Sequence, residues 1–257
     1  MTISIKTKED IEVLREGGRN HAVILKKLVD DVGPGISTEE LDSLCREYIK
    51  EVGDTPAFLN YRPQSSKRPF PAALCVSVNE VIVHGIPTEN PIILKDGDIV
   101  TIDLGLKHKG LITDAAITVQ AGEKTKEGQK LIESTREAMY RGIKAIKPGR
   151  HIGDIGEEIE RYVEKTDYYI ADDLAGHGVG YSVHEEPYVP NTGVSGEGEE
   201  LLPGMVLAIE PMLCEGGGEV VFERDDYTVR TKNRLLSAHF EHTVLVTESG
   251  YEILTSI

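Results

Sequence analysis

Two stretches of the chain, almost half its length apart, open on Pro-Gly and run straight into an amphipathic helix. They are "VGPGISTEELDSLCREYIKEVG" (residues 32–53) and "KPGRHIGDIGEEIERYVEKTD" (residues 147–167), and the recurrence points to a fold assembled from two similar halves. In the first, Ser37 and Glu40 have capping-box spacing, and Leu41, Leu44, Cys45, Tyr48 and Ile49 make one apolar face. Each stretch follows another long helical segment. In "KTKEDIEVLREGGRNHAVILKKLVDDV", Ile11, Leu14, Val23, Ile24 and Leu28 keep near-helical spacing, which Gly17-Gly18 weakens. Strand-like material comes after each helical pair: residues 74–83 and 98–119, then 206–210, 220–231 and 236–246. Helix pairs alternating with strand groups imply an α+β architecture, with helices on one face of a mostly antiparallel sheet. The loops "YRPQSSKRPFP" and "NTGVSGEGEELLPG" are followed at once by more structured sequence, so neither reads as a linker. The expectation is one domain over residues 1–257, with repeats at about 7–120 and about 125–250.

Within the first strand group, "TIDLGLKHKGLITDAAITV" (residues 101–119) reads as a hairpin of two apolar strands, each carrying an aspartate. Aspartate is depleted in strands and costly to bury unpaired. If Lys107-His108-Lys109-Gly110 is a four-residue loop, Leu106 faces Leu111 and Asp103 falls opposite Asp114. Cross-strand partners lie with Cβ atoms roughly 5 Å apart, where like charges repel. Two aspartates so placed call for a cation.

Three other places repeat the oddity. "PGMVLAIEPML" ends an apolar strand on Glu210, and "LSAHFEHTVLV" sets Glu241 on the strand face shared with Thr243 and Leu245. "LAGHGVGYSVHEEP" flanks His177 with glycines, which let the backbone approach whatever the ring touches, and His184 follows. Taken singly, each has an ordinary explanation, since a lone acid in a strand is usually solvated and a lone histidine usually structural. His21, His108, His151, His239 and His242 are read that way. Four carboxylates in four apolar strands beside a glycine-flanked histidine are another matter. Oxygen-rich sites with an imidazole suit Mn, Fe, Co or Zn, and carboxylates can bridge two such ions. No CxxC or HExxH is present to indicate a structural zinc or a mononuclear zincin.

The bulk properties narrow the setting. A net charge of −16 over 257 residues argues against general affinity for nucleic acid or anionic lipid. Neither a signal peptide nor an apolar run of membrane-spanning length is legible, and three widely spaced cysteines suit a reducing cytoplasm.

Five ordered segments, "CVSVNEVIVHGIP", "DGDIVTIDLGLKHKGLITDAAITV", "GHGVGYSVHEEPYVPN", "PGMVLAIEP" and "AHFEHTVLVTESGYEILT", resemble the type I methionine aminopeptidases along essentially the whole chain. That resemblance implies the duplicated, pseudo-twofold pita-bread (creatinase/aminopeptidase) fold. It implies a hydrolase that removes the initiator methionine of nascent proteins, with a small second residue preferred. It further implies two divalent ions held by Asp103, Asp114, His177, Glu210 and Glu241, with Asp114 and Glu241 bridging. His84 and His184 would line the substrate cleft and, with Glu210, act in catalysis. Cys75, Tyr61, Val183 and Tyr227 would line the methionine pocket. Val183 and Tyr227 stand where many relatives carry Phe and Trp, which affects the pocket's shape and not the chemistry. The expected enzyme is a cytoplasmic monomer, with Arg62, Lys67 and Arg68 as the compact basic group that could touch a ribosome. Three alternatives fit less well: a proline-specific peptidase of the same fold, a non-catalytic pita-bread binding protein, and a two-metal phosphoesterase.

Overall fold

The first helix starts where Thr7 and Asp10 cap each other. The Asp10 amide donates to the Thr7 hydroxyl at 3.1 Å and the Thr7 amide to the Asp10 carboxylate at 3.0 Å. In the computed structural model, which describes residues 3–63 and 66–256, this helix (α1, Lys8–Asp31) runs unbroken through Gly17-Gly18. The two glycines cost helix propensity, about 1 kcal/mol each, yet both are buried contact points. A Cβ on Gly17 would lie 2.8 Å from His108 Cβ, and one on Gly18 would lie 2.1 Å from the Leu254 carbonyl oxygen. The expected Ser37–Glu40 capping box opens α2 (Thr38–Glu51). The second pair is α3 (Lys126–Ala145) and α4 (Ile152–Val163).

The strands follow as β1 (Thr55–Pro56), β2 (Leu74–Val78), β3 (Val81–Val83), β4 (Ile99–His108), β5 (Leu111–Gln120), β6 (Tyr168–Ile170), β7 (Ala175–Gly178) and β8 (Glu185–Pro190). The rest are β9 (Val206–Ile209), β10 (Met212–Glu215), β11 (Val220–Phe222), β12 (Val229–Thr231), β13 (Ser237–His239), β14 (Glu241–Thr247) and β15 (Gly250–Ile253). A nine-stranded sheet runs β1-β4-β5-β14-β9-β7-β8, with β2 added to β4 and β15 to β14. Its ladders are antiparallel, as the α+β reading requires.

Alternation decides what each face of this sheet meets. Val100, Ile102, Leu104 and Ala115 pack with Ile24, Leu28, Leu41 and Ile49 of the first helical pair. Leu207, Ile209, Val244 and Val246 pack with Leu131, Ile143, Ile155 and Ile159 of the second. The helices therefore cover one face, and the residues between these apolar positions look the other way.

The hairpin register differs from the expected one. His108 pairs with Leu111, so the turn is Lys109-Gly110 alone, with φ of +46° and +93°. Two left-handed residues make the tight turn that suits the twist of a hairpin. Asp103 consequently faces Ala116, and Asp114 faces Gly105. A slip of two residues keeps both aspartates on one face, diagonal to each other instead of opposite. The strand expected over residues 74–83 breaks at Asn79, whose φ is +56°, and the one over 220–231 breaks between β11 and β12. Residues 61–71 form no helix or strand where described; Gln64 and Ser65 of that expected loop lie outside the described residues. Among the described residues no helix is long and apolar enough to cross a membrane.

Candidate metal centre

The helix-free face of the sheet gathers its acids at the seam where β5 meets β14. Asp103 on β4 and Glu241 on β14 flank Ala116 of β5, one on each side. The small alanine between them leaves room for both carboxylates. Asp114 is tied to β14 by Thr243, whose hydroxyl accepts from the Asp114 amide at 2.8 Å and donates to its carbonyl at 2.7 Å. Glu210 follows the last residue of β9, and His177 on β7 pairs with Ala208 of β9. Gly176 beside it is needed, because a Cβ there would lie 2.2 Å from the Ala208 carbonyl oxygen.

Asp103, Asp114, Glu210 and Glu241 are between 2% and 8% exposed, and among the described residues only Glu210 has basic partners, the imidazoles of His177 and His239. One oxygen on each of Asp103, Asp114 and Glu241 is buried without a hydrogen-bond partner. Buried polar atoms ordinarily have partners, so three orphaned oxygens at one place are the mark of something the side chains are built to hold. Burial pushes Asp103 up to about 7, and burial together with neighbouring carboxylates holds Asp114 and Glu241 well above the usual range. Glu210 goes the other way. Burial opposes its charge, but the imidazoles of His177 and His239 beside it bring it down to about 2. Ligating atoms of Asp114, His177 and Glu241 can converge within 4.8 Å of one another, as can those of Glu210, His239 and Glu241. Glu241 belongs to both groups. These donors, oxygen-rich with imidazole, fit divalent ions of the Mn, Fe, Co and Zn kind.

The histidines are oriented by what touches their other nitrogen. His177 Nδ1 donates to the Gly178 carbonyl at 2.9 Å, which leaves Nε2 facing Glu210 Oε1 at 3.2 Å. His184 stacks edge-on against His177, with centroids 4.5 Å apart, and its Nδ1 meets the Tyr61 hydroxyl at 2.9 Å. His184 is exposed by surface area, yet desolvation within the cleft, then the neighbouring His177 and His84, lower its pKa. The lowered pKa favours the neutral ring, whose Nδ1 is engaged by Tyr61 and whose Nε2 is left for another partner. His84 has a φ of +57°, a strained conformation for histidine, and burial lowers its basicity too.

Over this floor stands a cavity of ≈ 380 Å³. All the site residues singled out from the sequence line it: the four acids and one imidazole of the cluster, His84, His184, Cys75, Tyr61, Val183 and Tyr227. Phe58 and Phe70 complete its apolar wall. Burial keeps the Cys75 thiol protonated. The Tyr227 hydroxyl donates to the Arg68 carbonyl at 2.5 Å, and its ring meets Phe70 edge-on.

His239 was expected to be structural, and it belongs here instead. It is 1% exposed, neither ring nitrogen has a hydrogen bond, and Nε2 lies 3.4 Å from Glu210 Oε2. The signal was available: His239 stands two residues before Glu241, the period that keeps strand neighbours on one face.

An antiparallel sheet backed by two helical pairs, with carboxylates and imidazoles at the foot of an apolar cleft, defines a metallopeptidase of pita-bread architecture. The chain belongs to metallopeptidase family M24, whose model matches residues 12–248. It is 42% identical to a methionine aminopeptidase of Aquifex aeolicus over all of both chains. It is 41% identical to methionine aminopeptidase 1 of Bacillus subtilis, over 99% of this chain and 100% of that one. A crystal structure of methionine aminopeptidase from Thermotoga maritima superposes with a TM-score of 0.94, at 41% identity and full coverage of both chains. A prolidase of Pyrococcus horikoshii shares the fold, with a TM-score of 0.77 at 20% identity; this chain covers 63% of it.

Proposed function

We propose that this chain is a methionine aminopeptidase, hydrolysing the first peptide bond of chains that begin with methionine. The observation that carries the reading is the cavity: an apolar pocket opening onto a floor of orphaned carboxylate oxygens. Asp103, Asp114, His177, Glu210 and Glu241 would hold two divalent ions, and the place of Glu241 in both donor groups supports a bridging role. When bound, such ions lower the pKa of water to near neutrality and polarise a carbonyl.

The protein's own groups supply the rest. Phe58, Phe70, Tyr61, Val183 and Tyr227 exclude water from the methionine side chain. Glu210, held ionised by two imidazoles, is ready to take a proton from water and return it to the leaving amine. His184, with Nδ1 engaged by Tyr61, is the donor through Nε2 for the oxygen that gains charge, and His84 is the contact for the scissile amide. A small second residue is part of the proposal, because His84 and His184 both border the space beyond the bond.

The proposal takes the chain as one catalytic domain whose repeats, about 7–120 and about 125–250, meet along β5 and β14. Separate folding of either segment would count against it. The enzyme is proposed to be monomeric and cytoplasmic; sedimentation and cell fractionation test this. A ribosome contact through Arg62, Lys67 and Arg68 would rest mainly on the first two, since Arg68 is paired with Glu89. Charge reversal at all three with unchanged ribosome co-sedimentation would remove that contact from the proposal. The activity itself is tested by comparing Met-Ala-Ser, Met-Leu-Ser and Ala-Pro peptides with Mn or Co added. Turnover of Met-Ala-Ser alone is expected, and turnover of Ala-Pro alone would reassign the chain to proline-specific chemistry.

A further inference from the structure

Lys6 precedes the span that the family model matches, and its side chain is only 1% exposed. A buried ammonium is costly unless it is paired and hydrogen-bonded. Its partners are specific. Nζ donates to Glu185 Oε2 at 2.6 Å and to the Ser4 hydroxyl, and it lies 4.4 Å from the centroid of the Tyr181 ring. Ser4 donates in turn to the same Glu185 oxygen. The other carboxylate oxygen accepts from the Tyr181 amide and from the Ser182 amide, the latter at 2.8 Å. Tyr181 reaches back to the start of α1, its hydroxyl donating to Asp10 at 2.6 Å. The fit extends to the backbone. The Lys6 amide donates to the Gly204 carbonyl at 2.9 Å, and a Cβ on Gly180 would lie 2.4 Å from Lys6 Cε.

These contacts converge on the segment between β7 and β8, which carries Val183 and His184. Glu185 follows His184 directly and, like both of them, lines the cavity. The held amides nearest His184, those of Tyr181 and Ser182, are held by the Glu185 carboxylate. That carboxylate is kept inward by Lys6. Without the ammonium it would be a buried anion lacking a countercharge, and the favourable escape is outward to water, taking the loop along.

We propose that Lys6 is a positioning residue for the reaction: through Glu185 it sets Val183 against the pocket and the His184 ring against His177 and Tyr61. The assignment rests on the role given to His184 under the proposed function. Displacement of a catalytic group by about 1 Å can cost up to roughly a hundredfold in rate, so a remote ion pair can matter to turnover.

Lys6→Met keeps the aliphatic stem and removes the charge. In metal-free protein, amide hydrogen exchange at Tyr181 and Ser182 should quicken at least tenfold, while amides of α3 keep wild-type rates. With Mn restored, kcat on Met-Ala-Ser should fall about ten- to a hundredfold, with KM within about twofold. Placed on His184→Ala, the same change should cost less than twofold, because the group it positions is gone. Adding Glu185→Gln to Lys6→Met should recover much of the rate, since Gln accepts from both amides without burying a charge. If Lys6→Met does not fold, Lys6→Gln, which keeps a neutral donor, carries the same measurements. Exchange that quickens equally throughout the protein, or a rate loss of the same size with and without His184, would overturn the assignment. A wild-type protein inactive on Met-Ala-Ser would sink the functional reading instead, and the exchange measurement would still decide whether Lys6 holds the loop.

Discussion

Asp103 lies diagonal to Asp114 across the β4–β5 ladder, each aspartate facing an uncharged partner, Ala116 and Gly105 respectively. The repulsion between them is therefore that of near neighbours in a buried space, added to the larger penalty of burial itself.

That penalty has a sign with pH. Asp103 rises to about 7 in the folded, metal-free protein, from about 3.9 in an unfolded chain. A carboxyl with a raised folded value stabilises the fold below its unfolded value, and that stability is lost as pH climbs through the folded one. Under chelator, the melting temperature should thus fall between about pH 4 and about pH 7, with Asp114 and Glu241 acting in the same direction. Asp103→Asn should flatten the curve and at pH 8 melt no lower than metal-free wild type. Added Mn or Co should reverse the order, since a ligand held only by the folded state stabilises it by about 2.7 kcal/mol at a hundredfold excess over Kd. A chelated Asp103→Asn protein that melts lower than wild type at pH 8 would refute the buried-charge account.

Glu210 and His184 should govern rate more than folding. Glu210→Gln is expected to lose on the order of 10² to 10⁴ in turnover, and more if metal is lost with it. His184→Ala should lower kcat with normal metal content by elemental analysis. A His184→Ala protein that purifies without metal would place His184 among the ligands.

Val183 sets the width of the pocket. It is buried among Phe58, Phe70 and Tyr227, so Val183→Phe takes volume from the space for the first side chain. Branched or bulkier first residues should lose more activity than methionine does. Uniform losses across a panel of first residues would show that Val183 does not shape the pocket.

His239 is the second imidazole on Glu210. His239→Ala leaves that carboxylate with His177 alone, and turnover should drop at least about tenfold while the metal-loaded protein melts near the wild-type temperature. Activity within twofold of wild type would make His239 a packing residue.

The sequence made the cluster legible because acids inside apolar strands break alternation, and the break is visible without coordinates. It misplaced the register because Lys109 gives no hint that it will adopt a left-handed turn, where Asn or Asp would have. It hid β7 and β8, since "AGHG" and "EEPYVP" hold too few strand-forming residues to announce themselves. Lys6 could not be found in that way at all. A lysine near a chain start is ordinarily solvated, and only the approach of Gly180 and Glu185, far along the chain, makes it an interior group.

The pairing of β5 with β14 also has a meaning in time. Asp114 leaves the ribosome well before Glu241 is made, by on the order of ten seconds at roughly 5–20 residues per second. Through that interval the edge of β5 that will receive Glu241 has no strand beside it. Inward-pointing charges on an open strand edge are a known guard against joining the wrong neighbour. Asp114 would serve the unfinished chain in that way before it serves the finished one, warding off other strands until the right one arrives.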